Sequence, residues 1–131
     1  MKLIIAGSRH LNDYSYIDKA IAFAGIEPLA IKEVVSGMNS DIDHLAVQWA
    51  NNHKIKVKEM PANWKNIKTK DAVIRENQYG KYNAAAGYSR NKKMAEYGTH
   101  LLAILDEDSK DVESLIANME ELGKEFWVYE L

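Results

Sequence analysis

Short apolar runs alternate along this chain with longer stretches in which apolar residues recur every three or four positions. The run Leu3-Ile4-Ile5-Ala6 is apolar on both sides of the chain and stops at Gly7-Ser8-Arg9, which predicts a strand buried on both faces and then a tight turn. Asn12 and Asp13 offer caps for a helix over 14–24, and Gly25 ends it. A second strand is predicted over 31–35, closing on Ser36-Gly37. The helix that follows, 41–51, carries Ile42, Leu45, Ala46 and Trp49 at helical spacing. Residues 55–60 alternate and read as a third strand near a sheet edge, ended by Pro61.

From Trp64 to Asn83 the pattern dissolves into polar and charged residues without a period, which predicts a long inserted loop or flap over 65–83. A helix over 84–98, a strand over 101–105 and a helix over 110–122 follow. Ser109 and Gly123 stand as the caps of that last helix, and 126–129 reads as a closing strand. Strands and helices alternate throughout, with no repeat or interdomain linker. The expectation is one α/β domain spanning 1–131, a Rossmann-like, doubly wound, mostly parallel five-stranded sheet.

Composition narrows the function classes. The 131 residues are 47% hydrophobic and 27% charged, which fits a globular chain, and the net charge of −2 gives no general support to nucleic-acid binding. A local basic stretch, Lys54, Lys56, Lys58, Lys65, Lys68 and Lys70, reads first as solvated surface. With no cysteine there is no disulfide, thiolate metal site or cysteine nucleophile. The first apolar run is too short for a signal peptide and none is long enough for a membrane helix, so a cytoplasmic location is expected. His10, His44, His53 and His100 lack ligand-like spacing, and no metal ligand set is nominated.

In an open parallel sheet, ligands bind beyond the C-terminal ends of the strands. Two such ends, Gly7-Ser8-Arg9 and Ser36–Ser40, combine small residues with hydroxyls or a cation. Backbone approach, N–H donors and a guanidinium fork there suit a phosphate. A plain turn explains either one alone. The third end, Asp106-Glu107-Asp108-Ser109, is acidic; it reads as a solvated turn, with Mg²⁺ bridging to ligand phosphates as the alternative. No other cofactor is expected.

Four stretches of the chain resemble the SLOG superfamily, the Rossmann-like group that joins DprA/Smf proteins to LOG phosphoribohydrolases, and more narrowly its YspA-like family of phages and bacteria. They are Ala6-Gly7-Ser8-Arg9 with Asp13-Tyr14, Ser36-Gly37 with Asp41 to Ala50, Pro61-Ala62-Asn63-Trp64, and Ala86-Gly87-Tyr88-Ser89-Arg90-Asn91 with Met94. The resemblance implies a nucleotide-like ligand lined by Gly7, Ser8, Arg9, Ser36, Gly37, Asp43, Gly87, Arg90, Asn91 and Ser109. It also implies a homo-oligomer. Asp43 either holds the Ser36–Ser40 loop through backbone hydrogen bonds or meets a ribose hydroxyl. The family's Ser-x-Gly-Thr turn is here Ser109-Lys110-Asp111-Val112, and Leu115 stands where LOG enzymes carry their catalytic Glu.

Binding or sensing of a nucleotide or a nucleotide-derived phosphorylated ligand is therefore the leading functional expectation. The alternative is a nucleotide-processing N-glycosidic hydrolase, with Arg90 and Asp43 as catalytic candidates and Asp71 and Glu76 of the flap as further carboxylates. DprA-like nucleic-acid handling, which the charge balance disfavours, and a phage protein that binds a host factor complete the alternatives. Trp64, Tyr79, Tyr82 and Tyr88 could stack on a base or pack the flap onto the domain.

Overall fold

The computed structural model describes residues 1–65, 73–77, 80–83, 85–107 and 110–131. Among them, β1 (Lys2–Gly7), α1 (Ser15–Ala24), β2 (Glu33–Ser36), α2 (Asp41–Asn52) and β3 (Lys56–Glu59) form the first half. The second half holds the hairpin β4 (Ile74–Asn77) and β5 (Gly80–Asn83), then α3 (Ala86–Tyr97), β6 (His100–Leu105), α4 (Lys110–Glu121) and β7 (Glu125–Glu130). Five strands build one sheet in the order β3-β2-β1-β6-β7, and every pairing in it is parallel. This is the expected doubly wound α/β architecture.

The pleat explains the layers. Leu3 and Ile5 of β1 face α1 and α2 together with Val34, Leu102 and Ile104. Ile4 and Ala6 face α3 and α4 with Val35, Leu101 and Ala103. Leu3, Ile4, Ile5, Leu101, Leu102, Ala103 and Ile104 are all fully buried, which is why these two strands read as unbroken apolar runs. Burying one such side chain removes about 1.5–3 kcal/mol of apolar hydration cost. The strands β3 and β7 are the edges. Exposed Lys56, Lys58 and Glu59 on β3 discourage edge-to-edge pairing.

Several boundaries moved for physical reasons. Ile31 belongs to a 3₁₀ turn over Pro28–Ala30, where its N–H donates to Pro28 O, so β2 starts two residues later than expected. Asp13 does cap α1, but from one position further out. Its Oδ1 accepts from Ser15 N and Oγ, at 2.9 and 2.8 Å, while Tyr14 takes the cap backbone position. Gly25 and Gly123, both with positive φ, terminate α1 and α4 as glycine does without strain. Part of the stretch expected to be loop or flap pairs instead as the antiparallel hairpin β4–β5, with Ile74 opposite Asn83. Ser109, the expected cap of α4, lies outside the described residues.

The chain leaves β1 toward β2 and β3, then returns to lay β6 on the other flank of β1. The strand order therefore reverses between β1 and β6, and a crevice opens above their C-terminal ends.

Candidate functional site

A cleft of about 170 Å³ occupies that crevice. Its described lining comes from the end of β1 (Ala6, Gly7, Ser8, Arg9), the start of α2 (Asn39, Ser40, Asp43), the second turn of α3 (Arg90, Asn91) with Met94, and the start of α4 (Lys110, Asp111, Val112, Leu115). Because α2 packs on one face of the sheet and α3 and α4 on the other, the cleft is bounded from both sides.

The glycines and hydroxyls there have structural duties. A Cβ on Gly7 would stand 2.6 Å from Ile42 Cγ2, so the glycine lets α2 close onto the end of β1. Ser8 is buried and its Oγ accepts from Asp106 N at 2.9 Å, which ties the end of β1 to the end of β6. Ser36 Oγ donates to Asp43 O at 3.0 Å and accepts from Met38 N at 3.3 Å. Met38 itself takes a left-handed φ of 55°. These bonds fix the β2–α2 loop.

Asp43 completes that loop. Its Oδ2 accepts from Asn39 N at 2.9 Å and Ser40 N at 3.2 Å, while Ser40 Oγ accepts from Asp43 N at 3.1 Å. The result is a reciprocal capping box at the start of α2. Of the two roles left open for Asp43, the loop-holding one is present in the geometry. Its carboxyl is 6% exposed, and burial pushes it above the ordinary carboxylate value, with the two N–H donors and the Arg90 charge pulling partly back. The Ser40 hydroxyl pulls in the same lowering direction.

Arg90 is the most unusual group in the cleft. The side chain is 7% exposed. Its Nε donates to Asn91 Oδ1 at 2.8 Å and its Nη1 to Gly37 O at 2.6 Å. A Cβ on Gly37 would lie 2.5 Å from Nη1, so this glycine makes room for the guanidinium. Burial lowers the Arg90 pKa, opposed by the fields of Asp43 and Asp111, yet a guanidinium stays charged. Among the described residues no carboxylate lies within ion-pair distance of it, and Nη2 has no hydrogen-bond partner. Asn91 orients it, since its Nδ2 donates to Asp111 O and to Ser114 Oγ, both at 2.8 Å, and so locks α3 to α4.

Of the residues nominated from sequence, Gly7, Ser8, Arg9, Asp43, Arg90 and Asn91 line one cleft. Ser36 and Gly37 support it from behind through Asp43 and Arg90. Gly87 does not line it: a Cβ there would meet the Trp64 ring at 2.9 Å. Glu76 is exposed on β4 and is not among the cleft's lining. Ser109, Asp71, Tyr79 and the Tyr82 side chain lie outside the described residues. Sequence reasoning missed Lys110 and Asp111. The Ser40-x-x-Asp43 spacing was a readable sign of the capping box. Leu115, 1% exposed, adds an apolar side chain to the cleft's lining.

A family model, YAcAr, described as the YspA, cpYpsA-related SLOG family, matches residues 1–66. The matched half carries the Gly7–Arg9 turn, the Ser36–Asp43 loop and Trp64, whereas Arg90 and Asn91 lie beyond it. No curated protein and no solved structure matches the chain. No helix among the described residues is long and apolar enough to cross a membrane, and no cluster of three or more His, Asp or Glu side chains there could hold a metal ion.

Proposed function

The chain belongs to the YspA, cpYpsA-related SLOG family, which points to a nucleotide-related role, and on that premise we propose that it binds or senses a nucleotide-derived phosphorylated ligand in the cleft above β1 and β6. The observation that carries this is the buried Arg90 guanidinium, which among the described residues has no carboxylate in ion-pair reach. Its two hydrogen bonds go to neutral oxygens, so an anionic ligand would add the charged partner that a guanidinium binds best. Exposed Arg9 at the mouth adds a second fork.

The test is a thermal-shift screen against nucleoside monophosphates, cyclic dinucleotides and ADP-ribose derivatives, with Arg9→Ala and Arg90→Lys alongside. A ligand at about 100 times its Kd stabilises the fold by roughly 2.7 kcal/mol, a shift of several degrees. Loss of that shift in Arg9→Ala, an exposed position, supports the reading. No shift with any of these ligands, from folded protein, rejects it.

One observation favours a second reading, N-glycosidic hydrolysis. Asp43 is a buried carboxyl whose proton is held more tightly than usual, the condition for a general acid. Leu115 removes the LOG-type carboxylate, so Asp43 would have to act without it. Release of free base from a nucleoside monophosphate, abolished in Asp43→Asn, is the result this reading requires.

A further inference from the structure

Two of the chain's three tryptophans are engaged. Trp49 is fully buried, its Nε1 donates to Asp18 Oδ1 at 2.8 Å, and its ring stacks on His53. The Trp127 ring stacks on His100. Trp64 is 36% exposed, and among the described residues its indole N–H has no acceptor and its ring meets no other ring or cation.

Gly87 sets the place of that free ring. A Cβ there would lie 2.9 Å from Trp64 Cη2 and 3.7 Å from both Cζ2 and Cζ3, the spacing of a ring that approaches end-on through the tip of its six-membered part. This contact with α3 uses the edge of the indole and neither flat face. Gly87 is not among the positive-φ glycines, so the close approach of the ring, not the backbone, is what calls for a glycine.

The ring stands at the rim of the cleft. Residues three, four and seven apart share one face of a helix, and at those spacings from Gly87 come Arg90, Asn91 and Met94, which line the cleft. From there α3 descends toward the N-terminal ends of the strands, where Thr99 N donates to Lys2 O at 2.9 Å. Gly87 is therefore on the cleft-facing stripe, roughly 5 Å further out than Arg90. The neighbouring Tyr88, also exposed, is turned about 100° from that stripe. At about 170 Å³ the cleft is smaller than the ~300 Å³ at which pockets for whole small ligands begin, so part of the ligand lies outside its lining.

We infer that Trp64 is a stacking platform for a planar base: the base lies on a free face of the indole at the rim, and the phosphorylated part reaches inward to Arg90. The ligand is accordingly a base-bearing nucleotide rather than a phosphorylated sugar. The inference deepens the proposed function and takes the phosphorylated part from it, whereas the stacking rests on the rim geometry alone.

The experiment is a calorimetric titration of the full chain with AMP, GMP, adenosine and ribose 5-phosphate, with tryptophan fluorescence recorded alongside. AMP or GMP is expected to bind about 5- to 150-fold more tightly than ribose 5-phosphate, the range one base–aromatic stack supplies. The nucleotide quenches fluorescence and ribose 5-phosphate does not. Trp64→Leu keeps an apolar side chain near Gly87 but has no π face; it loses the preference for the nucleotide and binds ribose 5-phosphate as the wild type does. Trp64→Phe keeps most of the preference and loses the quench. Tyr88→Ala changes neither.

Equal binding of both nucleotides and ribose 5-phosphate, or a preference that survives Trp64→Leu or falls in Tyr88→Ala, overturns the inference and leaves phosphorylated-ligand binding intact. Adenosine bound in a Trp64-dependent way, with ribose 5-phosphate silent, upholds it and rejects the phosphorylated ligand. Silence toward all four probes overturns both. Should Trp64→Leu fail to fold, a lost quench with retained AMP affinity in Trp64→Phe upholds the inference, and a quench that persists there overturns it.

Discussion

Asn91→Ala tests whether one buried amide joins α3, α4 and Arg90. Asn91 is 4% exposed and makes three hydrogen bonds, two as donor to Asp111 O and Ser114 Oγ and one as acceptor from Arg90 Nε. The losses are unequal. Asp111 O keeps the Ser114 hydroxyl, at 2.9 Å, so neither group on α4 is orphaned. Arg90 Nε loses a charge-assisted partner in a buried place. At about 1 kcal/mol for each neutral bond and about 1.5–3 for the charged one, the substitution costs roughly 3.5–5 kcal/mol. Urea unfolding followed by tryptophan fluorescence reads this as a midpoint lower by roughly 1.8–2.5 M, for a slope of ~2 kcal/mol/M that does not change. Ser114→Ala removes only one acceptor and one local donor and should cost about 1 kcal/mol. If Asn91→Ala costs less than about 1 kcal/mol, or no more than Ser114→Ala, the amide is not the joint described here.

Other outcomes follow from the same geometry. Gly7→Ala forces a methyl against Ile42 and costs about 1–3 kcal/mol; in an Ile42→Ala background the added cost falls below about 1 kcal/mol in a double-mutant cycle, and strict additivity contradicts the close-approach account. Gly37→Ala displaces the Arg90 guanidinium, so phosphate-induced thermal stabilisation disappears although Gly37 is not itself a lining residue. For Asp43, burial raises the folded-state pKa, so the folded chain holds that proton more tightly; its contribution is complete below the unfolded value and is lost as pH rises through the folded one. The urea-midpoint difference between wild type and Asp43→Asn should therefore move in favour of wild type as pH falls from neutral toward the carboxylate range, and movement the other way refutes the assignment.

The parts legible in the sequence were those where a single physical demand acts on consecutive residues. β1 and β6 are buried on both faces, so Leu3–Ala6 and Leu101–Leu105 admit nothing but apolar side chains, and their pattern was unambiguous. The β4–β5 hairpin was not, because Val73 and Ile74 are exposed and Arg75 and Glu76 face water as well, leaving no burial to imprint a period. β2 lost its first two expected residues to the 3₁₀ turn, since Ile31 is buried there as it would be in a strand. Hydrophobicity reports burial; it does not report which backbone delivers it.

At the site, residue types were visible but their partners were not. Gly7, Ser36, Gly37 and Asp43 suggested a phosphate cradle because small residues and hydroxyls at a strand end are what a cradle uses. The same residues are also what a loop needs in order to satisfy its own donors, and composition cannot separate the two. The capping spacing Ser40-x-x-Asp43 is the clue that tips the balance, since a carboxyl at the third helical position reaches back to the N–H groups an anion would want. Arg90 carries the opposite lesson. Its two bonded nitrogens serve Gly37 and Asn91, residues 53 and 1 positions away, and only the third is left open to the cleft. A functional reading of this chain thus turns on which polar atoms stay open to the cleft once the fold has taken its share, as Nη2 of Arg90 does.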